Sequence, residues 1–365
     1  MDYSRRCRNI ADKVASNNID CIAIATLPNL RYFFNYSGQA FERFCCGLIN
    51  KDGSATSLVI PKLDTEKAEN SSAGSIFPWD DNEGYQPALK KALESIGSRG
   101  EHIGCEAGLT LGMTDQIKEV LGTFNFAPIS EEISSLRLIK EKSELDSIAD
   151  SGRKMSRGYK AIPDIIEAGK TEAEVAFEIM SVLSKKGLTT AHFPLVQSGS
   201  NSAIPHSEAG SRKIRKGDIV VIDISATNDE GYFADFTRTY LVGKPSAKQT
   251  EVYEIVKKAQ VEGVKASVIG KPAQEVDRAA RSSIEKAGYG QFFVHRTGHG
   301  LGLEVHEAPY IKEGNGATME NGMVFTVEPG IYLSGKFGVR IEDNIMIAKD
   351  SSQNITALSH ELIEI

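Results

Sequence analysis

The stretch "IVVIDISATNDEGYFADFTRTYLV", Ile219–Val242, sets two aspartates on what its neighbours read as one hairpin. Val220, Val221, Ile222 and Ile224 make an apolar run, the mark of a buried strand, and Asp223 stands in its middle. An unpaired buried carboxylate is strongly disfavoured, so a compensating partner is required. With Asn228–Glu230 as a three-residue hairpin loop, Asp223 falls directly opposite Asp235 on one face. Like charges at that spacing repel, and a cation between them reverses the sign of the interaction. For a lone strand aspartate the commoner explanation is edge exposure or an arginine partner, here Arg238 or Arg340.

A second acid pair follows in "VFTVEPGIYLSGKFGVRIEDN", Val324–Asn344. A loop at Ser334–Lys336 puts Glu328 opposite Glu342. Pro329 cannot donate a ladder hydrogen bond, so a bulge or strand edge is expected beside it. Two hairpins that each offer two acids are unusual. Four carboxylates around one centre suit a pair of divalent ions better than a single one.

Between the hairpins lies "FFVHRTGHGLGLEVHEAP", Phe292–Pro309, with three of the chain's seven histidines: His295, His299 and His306. Glycines at 298, 300 and 302 permit close backbone approach to a ligand. One imidazole added to four carboxylates gives a mostly oxygen donor set, suited to Mn, Co, Fe or Zn rather than copper or a structural cysteine site. The histidine spacing matches neither the HExxH helix nor a zinc finger. Taken singly, His295 and His306 read as core or surface histidines. His206, in "SGSNSAIPHSEAG" (Ser198–Gly210), reads as a solvated loop residue. His102, His192 and His360 fall outside the constellation.

The whole chain bounds these readings. It has 365 residues, 41% hydrophobic and 25% charged, as in ordinary globular proteins. A net charge of -7 with no long basic patch argues against a nucleic-acid partner. No window holds the ~18 apolar residues of a membrane span, and the first twenty residues lack the apolar core of a signal peptide; a cytoplasmic protein with no membrane partner is expected. The five cysteines are odd in number, form no CxxC pair and all lie in the first third, which fits reduced thiols.

Residues 1–126 alternate helical and strand signals, with "RRCRNIADKVASNN" an amphipathic helix, "DCIAIA" a strand and Asp52-Gly53 a hairpin turn. Residues 127–142 read as a linker. Residues 143–365 then run helices followed by a hairpin, twice over, which suggests an internally duplicated α+β domain. A helix is expected from Ser143 to Ile162, stopped near Pro163, and Thr171 with Glu174 forms a capping box for the next.

Together these blocks resemble the pita-bread metallopeptidases: prolidase, aminopeptidase P and their relatives, with creatinase and methionine aminopeptidase further off. "GHGLGLEVHEAP", "FTVEPGIY", "VRIEDN" and "GYFADFTRT" are similar to that family's blocks, "TLPNLRYFFNYSG" to its creatinase-type N-terminal domain, and "SLRLIKEKSELDSI" to its interdomain helix. The resemblance implies a pita-bread catalytic domain behind an N-terminal α/β creatinase-like domain. It implies Asp223, Asp235, His299, Glu328 and Glu342 as ligands of two divalent metal ions (Mn, Co or Zn). His206, His295, His306 and Arg340 fall on substrate-site positions, Arg340 on one linked to proline-containing substrates. Phe193 and Val305 are weaker candidates for a proline-ring pocket.

The function implied is hydrolysis of a small peptide between an N-terminal residue and proline, through a dinuclear metal-activated hydroxide. Glu328 shuttles the proton, and His206 and His306 stabilise the oxyanion or orient the substrate. Capture of a dipeptide's C-terminal carboxylate falls to His295 or Arg296. A homodimer is expected by the same resemblance. Aminopeptidase P on longer Xaa-Pro peptides and a non-catalytic pita-bread binding protein are the alternatives. A metal-free creatinase-type hydrolase is disfavoured by the intact ligand set, and methionine aminopeptidase by the first domain. Two departures stand out. The family usually carries Asp-x-Gly where this chain has Asp223-Ile224-Ser225, and its two aspartates are usually one residue closer than the 12 here.

Overall fold

The computed structural model describes residues 1–122, 124–349 and 351–365. They divide into two compact units, Met1–Arg137 and Leu138–Ile365.

The first unit runs α1 (Tyr3–Val14), β1 (Cys21–Ile24), α2 (Leu27–Phe34), β2 (Cys46–Asn50), β3 (Thr56–Pro61), α3 (Thr65–Ala68), β4 (Ser75–Trp79), α4 (Gln86–Ser95), β5 (His102–Cys105), α5 (Leu111–Leu121), β6 (Asn125–Pro128) and α6 (Ser130–Leu138). Its strands form one mixed sheet in the order β4-β3-β2-β1-β5-β6. Helix α1 buries Ile10, Ala11 and Val14 on one stripe, and Asp2 caps it by accepting from the Arg5 amide. The β2–β3 hairpin turns where Asp52-Gly53 signals it, with Gly53 at φ +71°. Leu48, Val59, Trp79, Leu89 and Ile103 meet in the core of this unit. All five cysteines are free and buried, as the reduced-thiol reading expects.

The second unit runs α7 (Lys142–Tyr159), α8 (Ile162–Ile165), α9 (Glu172–Ser184), β7 (Thr189–Thr190), β8 (Leu195–Ser198), β9 (Ile219–Thr227), β10 (Phe233–Leu241), α10 (Ala247–Ala266), α11 (Gln274–Lys286), β11 (Gly298–Gly300), β12 (Glu307–Ile311), β13 (Val324–Val327), β14 (Gly330–Leu333), β15 (Phe337–Arg340), β16 (Asp343–Ile347), β17 (Ser352–Asn354) and β18 (Ile363–Glu364). Helices followed by a hairpin do occur twice. The Thr171–Glu174 capping box opens α9 as expected. The preceding helix differs from expectation. It opens with a second capping box at Glu141 and Glu144 and ends at Tyr159, and Pro163 sits in the first turn of the separate helix α8. A first-turn proline costs no hydrogen bond, so it starts a helix there instead of stopping one.

One sheet has the order β18-β10-β9-β7, with β8 also on β9, and a second has the order β12-β11-β13-β16-β17. Side chains at alternate positions of β9 go to opposite faces. Val220, Ile222 and Ile224 pack with Met155, Tyr159, Ile179 and Phe236. Ile219 and Val221 pack with Val252, Val256, Ile331 and Val339 on the other side. That double coverage is why the run around Asp223 is apolar throughout.

The first hairpin's register departs from the symmetric reading. Asp223 pairs with Thr237, and Asp235 pairs with Ser225. Asn228–Tyr232 close the turn instead of three residues. Asn228 donates to Ser147 on α7 and accepts from the Tyr232 amide, and Gly231 takes φ +83°. Packing of the turn on α7 thus selects a longer loop. The shift along the partner strand is two residues, so both aspartates keep to one face.

The second hairpin keeps the expected register but is divided. Val327 pairs with Asp343 in one sheet, and Gly330 pairs with Arg340 in a separate two-stranded ribbon. The break falls at Glu328-Pro329 and Ile341-Glu342, where the proline has no amide to donate.

Candidate active site

The two hairpins meet at Thr237 and Glu342. The Glu342 amide donates to the Thr237 carbonyl at 3.1 Å. The Thr237 hydroxyl donates to Glu342 Oε2 at 2.6 Å. This contact brings acids more than a hundred residues apart in sequence to one point.

Asp235, His299 and Glu342 each place a ligand atom within 4.8 Å of the others, and all three are buried. Glu328 Oε1 lies 3.3 Å from His299 Nε2, and Asp235 Oδ2 lies 3.8 Å from it. His299 Nδ1 meets the Gly300 carbonyl at 3.1 Å, a hydrogen bond that keeps the proton on Nδ1 and turns Nε2 to the carboxylates. The glycines beside it are required: a side chain at Gly298 would run into the Thr326 carbonyl, and one at Gly300 into Ala308.

Asp223 lies in the same cavity but outside that three-residue group. Its Oδ2 accepts from Arg340 Nη2 at 2.7 Å. Asp223 is only half-buried, and its compensating partner is an arginine, one of the two considered. Arg238 instead donates to Asp343 at 2.7 Å, and the Gln260, Asn354 and His360 side chains also hold that carboxylate.

Charge in this cluster is strongly perturbed. Burial, and then the Asp223 charge, pushes the Asp235 carboxyl up to about 7. Burial with Asp235, Glu328 and Asp223 holds Glu342 well above the usual carboxylate range. Burial alone would raise Glu328 too, but the hydrogen-bonded His299 imidazole, with His295 and Arg340 behind it, holds it down to about 2. Burial alone would lower His299, and Glu328 and Asp235 overcome this and raise it. Four acids thus share one imidazole and one arginine, and protons fill part of the deficit. The donor set fits divalent cations, which would take the place of those protons.

A cavity of about 450 Å³ opens over the cluster. His206, His295, His306, Arg340 and Val305 line it. The His306 ring stands edge-on to His299, with centroids 4.2 Å apart. Burial, then the neighbouring His299 and Arg296, brings His306 down to about 4, so it is neutral near pH 7. His295 is lowered by burial and hydrogen-bonds through Nε2 with the Tyr332 hydroxyl at 2.9 Å. Arg340 is buried and committed to Asp223, Tyr332 and Thr237. Phe193 packs edge-on against Phe177 and is not among the cavity's lining residues. His192, set aside on sequence grounds, does line it.

Sequence reasoning missed several polar partners. Thr237 lies two residues past Asp235, so strand periodicity could have placed it on the same face. Thr326 holds Glu328 by the same rule, its hydroxyl donating at 3.2 Å. Tyr332, which joins His295 to Arg340, carried no sequence signal.

The chain is similar to known proteins along nearly its whole length. Metallopeptidase family M24 matches residues 146–349, and the Creatinase/Prolidase N-terminal domain matches residues 6–139. The Xaa-Pro dipeptidase of Pyrococcus horikoshii is 35% identical over 361 residues, covering 99% of each chain. A recombinant prolidase from Thermococcus sibiricus superposes with a TM-score of 0.93 at 35% identity over 100% of both chains. An X-Pro aminopeptidase from Thermotoga maritima does so with a TM-score of 0.87 at 31% identity, again over 100% of both. The pita-bread fold expected from the sequence is thereby borne out, as is the use of divalent metal by the family. The chain belongs to metallopeptidase family M24, with a creatinase/prolidase N-terminal domain ahead of its catalytic domain.

Proposed function

We propose that this protein is a metal-dependent exopeptidase that cleaves Xaa-Pro dipeptides. The observation that carries this reading is the buried cluster of Asp235, His299 and Glu342 within 4.8 Å, with Glu328 on the same imidazole. Asp223, Asp235, His299, Glu328 and Glu342 would together hold two divalent ions, Mn, Co or Zn. Bound there, the ions supply Lewis-acid polarisation of the scissile carbonyl and a water acidic enough to react near neutral pH.

The chain's own groups do the rest. Glu328 is held ionised by its imidazole neighbour, so it can accept a proton from the attacking water. It then gives that proton to the leaving nitrogen. The leaving nitrogen is that of the proline ring, a tertiary amide nitrogen that departs only when protonated. His306, neutral at pH 7, offers an N–H toward the developing oxyanion without adding charge. His206, at the exposed rim of the cavity, orients the substrate. Arg340 is taken up by protein partners, so its first role is to hold Asp223. The substrate's C-terminal carboxylate is left to Arg296 or His295, both of which line the cavity. Capture of that carboxylate favours dipeptides over longer peptides. A homodimer is read from the family resemblance, and a cytoplasmic location from five cysteines with no CxxC pair, which fit reduced thiols.

Hydrolysis of Xaa-Pro dipeptides and Xaa-Pro-Yaa tripeptides, after chelation and after re-addition of Mn²⁺, Co²⁺ or Zn²⁺, tests the proposal. Dipeptide turnover restored by metal is expected. Faster tripeptide turnover would favour the aminopeptidase reading, for which the Thermotoga maritima likeness is the support. No turnover of either set in any metal overturns the peptidase reading.

A further inference from the structure

Asp235 is held differently at its backbone and at its carboxylate. The backbone is fixed by Asn344, whose Oδ1 accepts from the Asp235 amide at 3.0 Å and whose Nδ2 donates to the Asp235 carbonyl at 2.6 Å. These bonds set the position of Cα but leave the side chain free to rotate. The carboxylate is oriented by Ser225. The two residues are direct cross-strand partners, and the Ser225 hydroxyl donates to Asp235 Oδ1 at 2.9 Å. Ser225 is 3% exposed and Asp235 4%, so water does not compete for this bond. With Oδ1 held by the hydroxyl, Oδ2 is the oxygen presented to His299.

We propose that Ser225 is a positioning residue of the metal centre, fixing the rotation of the Asp235 carboxylate so that one oxygen is aimed at the site before any ion arrives. The proposal rests on the metal-binding reading above. A carboxylate oxygen has lone pairs to spare, so the hydroxyl orients Oδ1 without removing it as a donor. Groups that orient a ligand in this way commonly change metal affinity by about 10–100-fold when removed. The bland alternative is a buried serine that merely satisfies its own hydroxyl. On that view Ser225 affects folding stability and leaves metal affinity alone.

The test uses full-length, metal-stripped protein titrated with Mn²⁺ against a chromogenic chelator, with thermal unfolding in EDTA run in parallel. Ser225→Ala is expected to bind Mn²⁺ about 10–100-fold more weakly than the parent. Ser225→Thr, which keeps the hydroxyl, should stay nearer the parent than the alanine variant. Ser225→Gly is the second variant should the alanine form fail to fold. Affinity equal to the parent's in the alanine or glycine variant overturns the proposal while leaving the metal reading intact. A parent that takes up no Mn²⁺ overturns both.

Discussion

Thr237 and Glu342 are joined twice, by a backbone hydrogen bond of 3.1 Å and by a hydroxyl-to-carboxylate bond of 2.6 Å. Asp235 lies two residues before Thr237 on β10, so this junction carries the first hairpin's acid to the second hairpin's. The site exists because the two ribbons lock at this point.

Thr237→Val keeps the shape and removes the hydroxyl, so Glu342 loses a fixed donor. Metal affinity is expected to fall about 10–100-fold, and stability in EDTA by about 1–3 kcal/mol. Chelator competition and denaturant unfolding measure the two; a variant unchanged in both would remove the junction's assigned role.

Glu328→Gln cannot take a proton from water. Turnover of an Xaa-Pro dipeptide should drop about 10²–10⁴-fold or more, while metal is still bound. Activity within a factor of two of the parent would show that the proton moves through another group.

Arg340→Met strips Asp223 of its partner. Breaking a buried ion pair costs about 3 kcal/mol or more, less here because Asp223 keeps some solvent access. Divalent ions would neutralise Asp223 in the loaded protein. The loss of melting temperature should therefore be larger in EDTA than in Mn²⁺, and equal losses in both would argue against Asp223 as a ligand.

Metal uptake should release protons. The Asp235 carboxyl sits at about 7, so it holds a proton in the metal-free protein at pH 6, and Glu342 is held well above the usual carboxylate range. An unfolded aspartate titrates near 3.9. The folded chain thus binds more protons than the unfolded one between those limits. At Asp235 the metal-free fold is favoured below that window and loses stability as pH rises from about 4 toward 7. Calorimetric titration at pH 6 in buffers of different ionisation heat should register proton release, and apparent metal affinity should rise with pH. Heats independent of buffer would contradict these raised carboxyls.

Much of this was legible in one dimension. The apolar run around Asp223, the Thr171 capping box and the Asp52-Gly53 turn are local patterns, and short-range sterics and hydrogen bonding settle them. The pairing of Glu328 with Glu342 was readable because a short loop centred on Gly335 fixes the register on both sides of the break. The first hairpin was misread by two residues because its turn is shaped by Asn228 packing on Ser147, a contact 81 residues distant.

The sequence by itself determined which donors exist, on which strand faces they stand, and that their charge needed compensation. Tertiary structure alone decided who compensates whom. Arg340 rather than Arg238 reaches Asp223, Thr237 reaches Glu342, and Ser225 faces Asp235. Periodicity encodes the direction of a side chain within its own element. The distance between two elements is set by the packing between them, and that is where imidazole, guanidinium and carboxylates are brought to a common point.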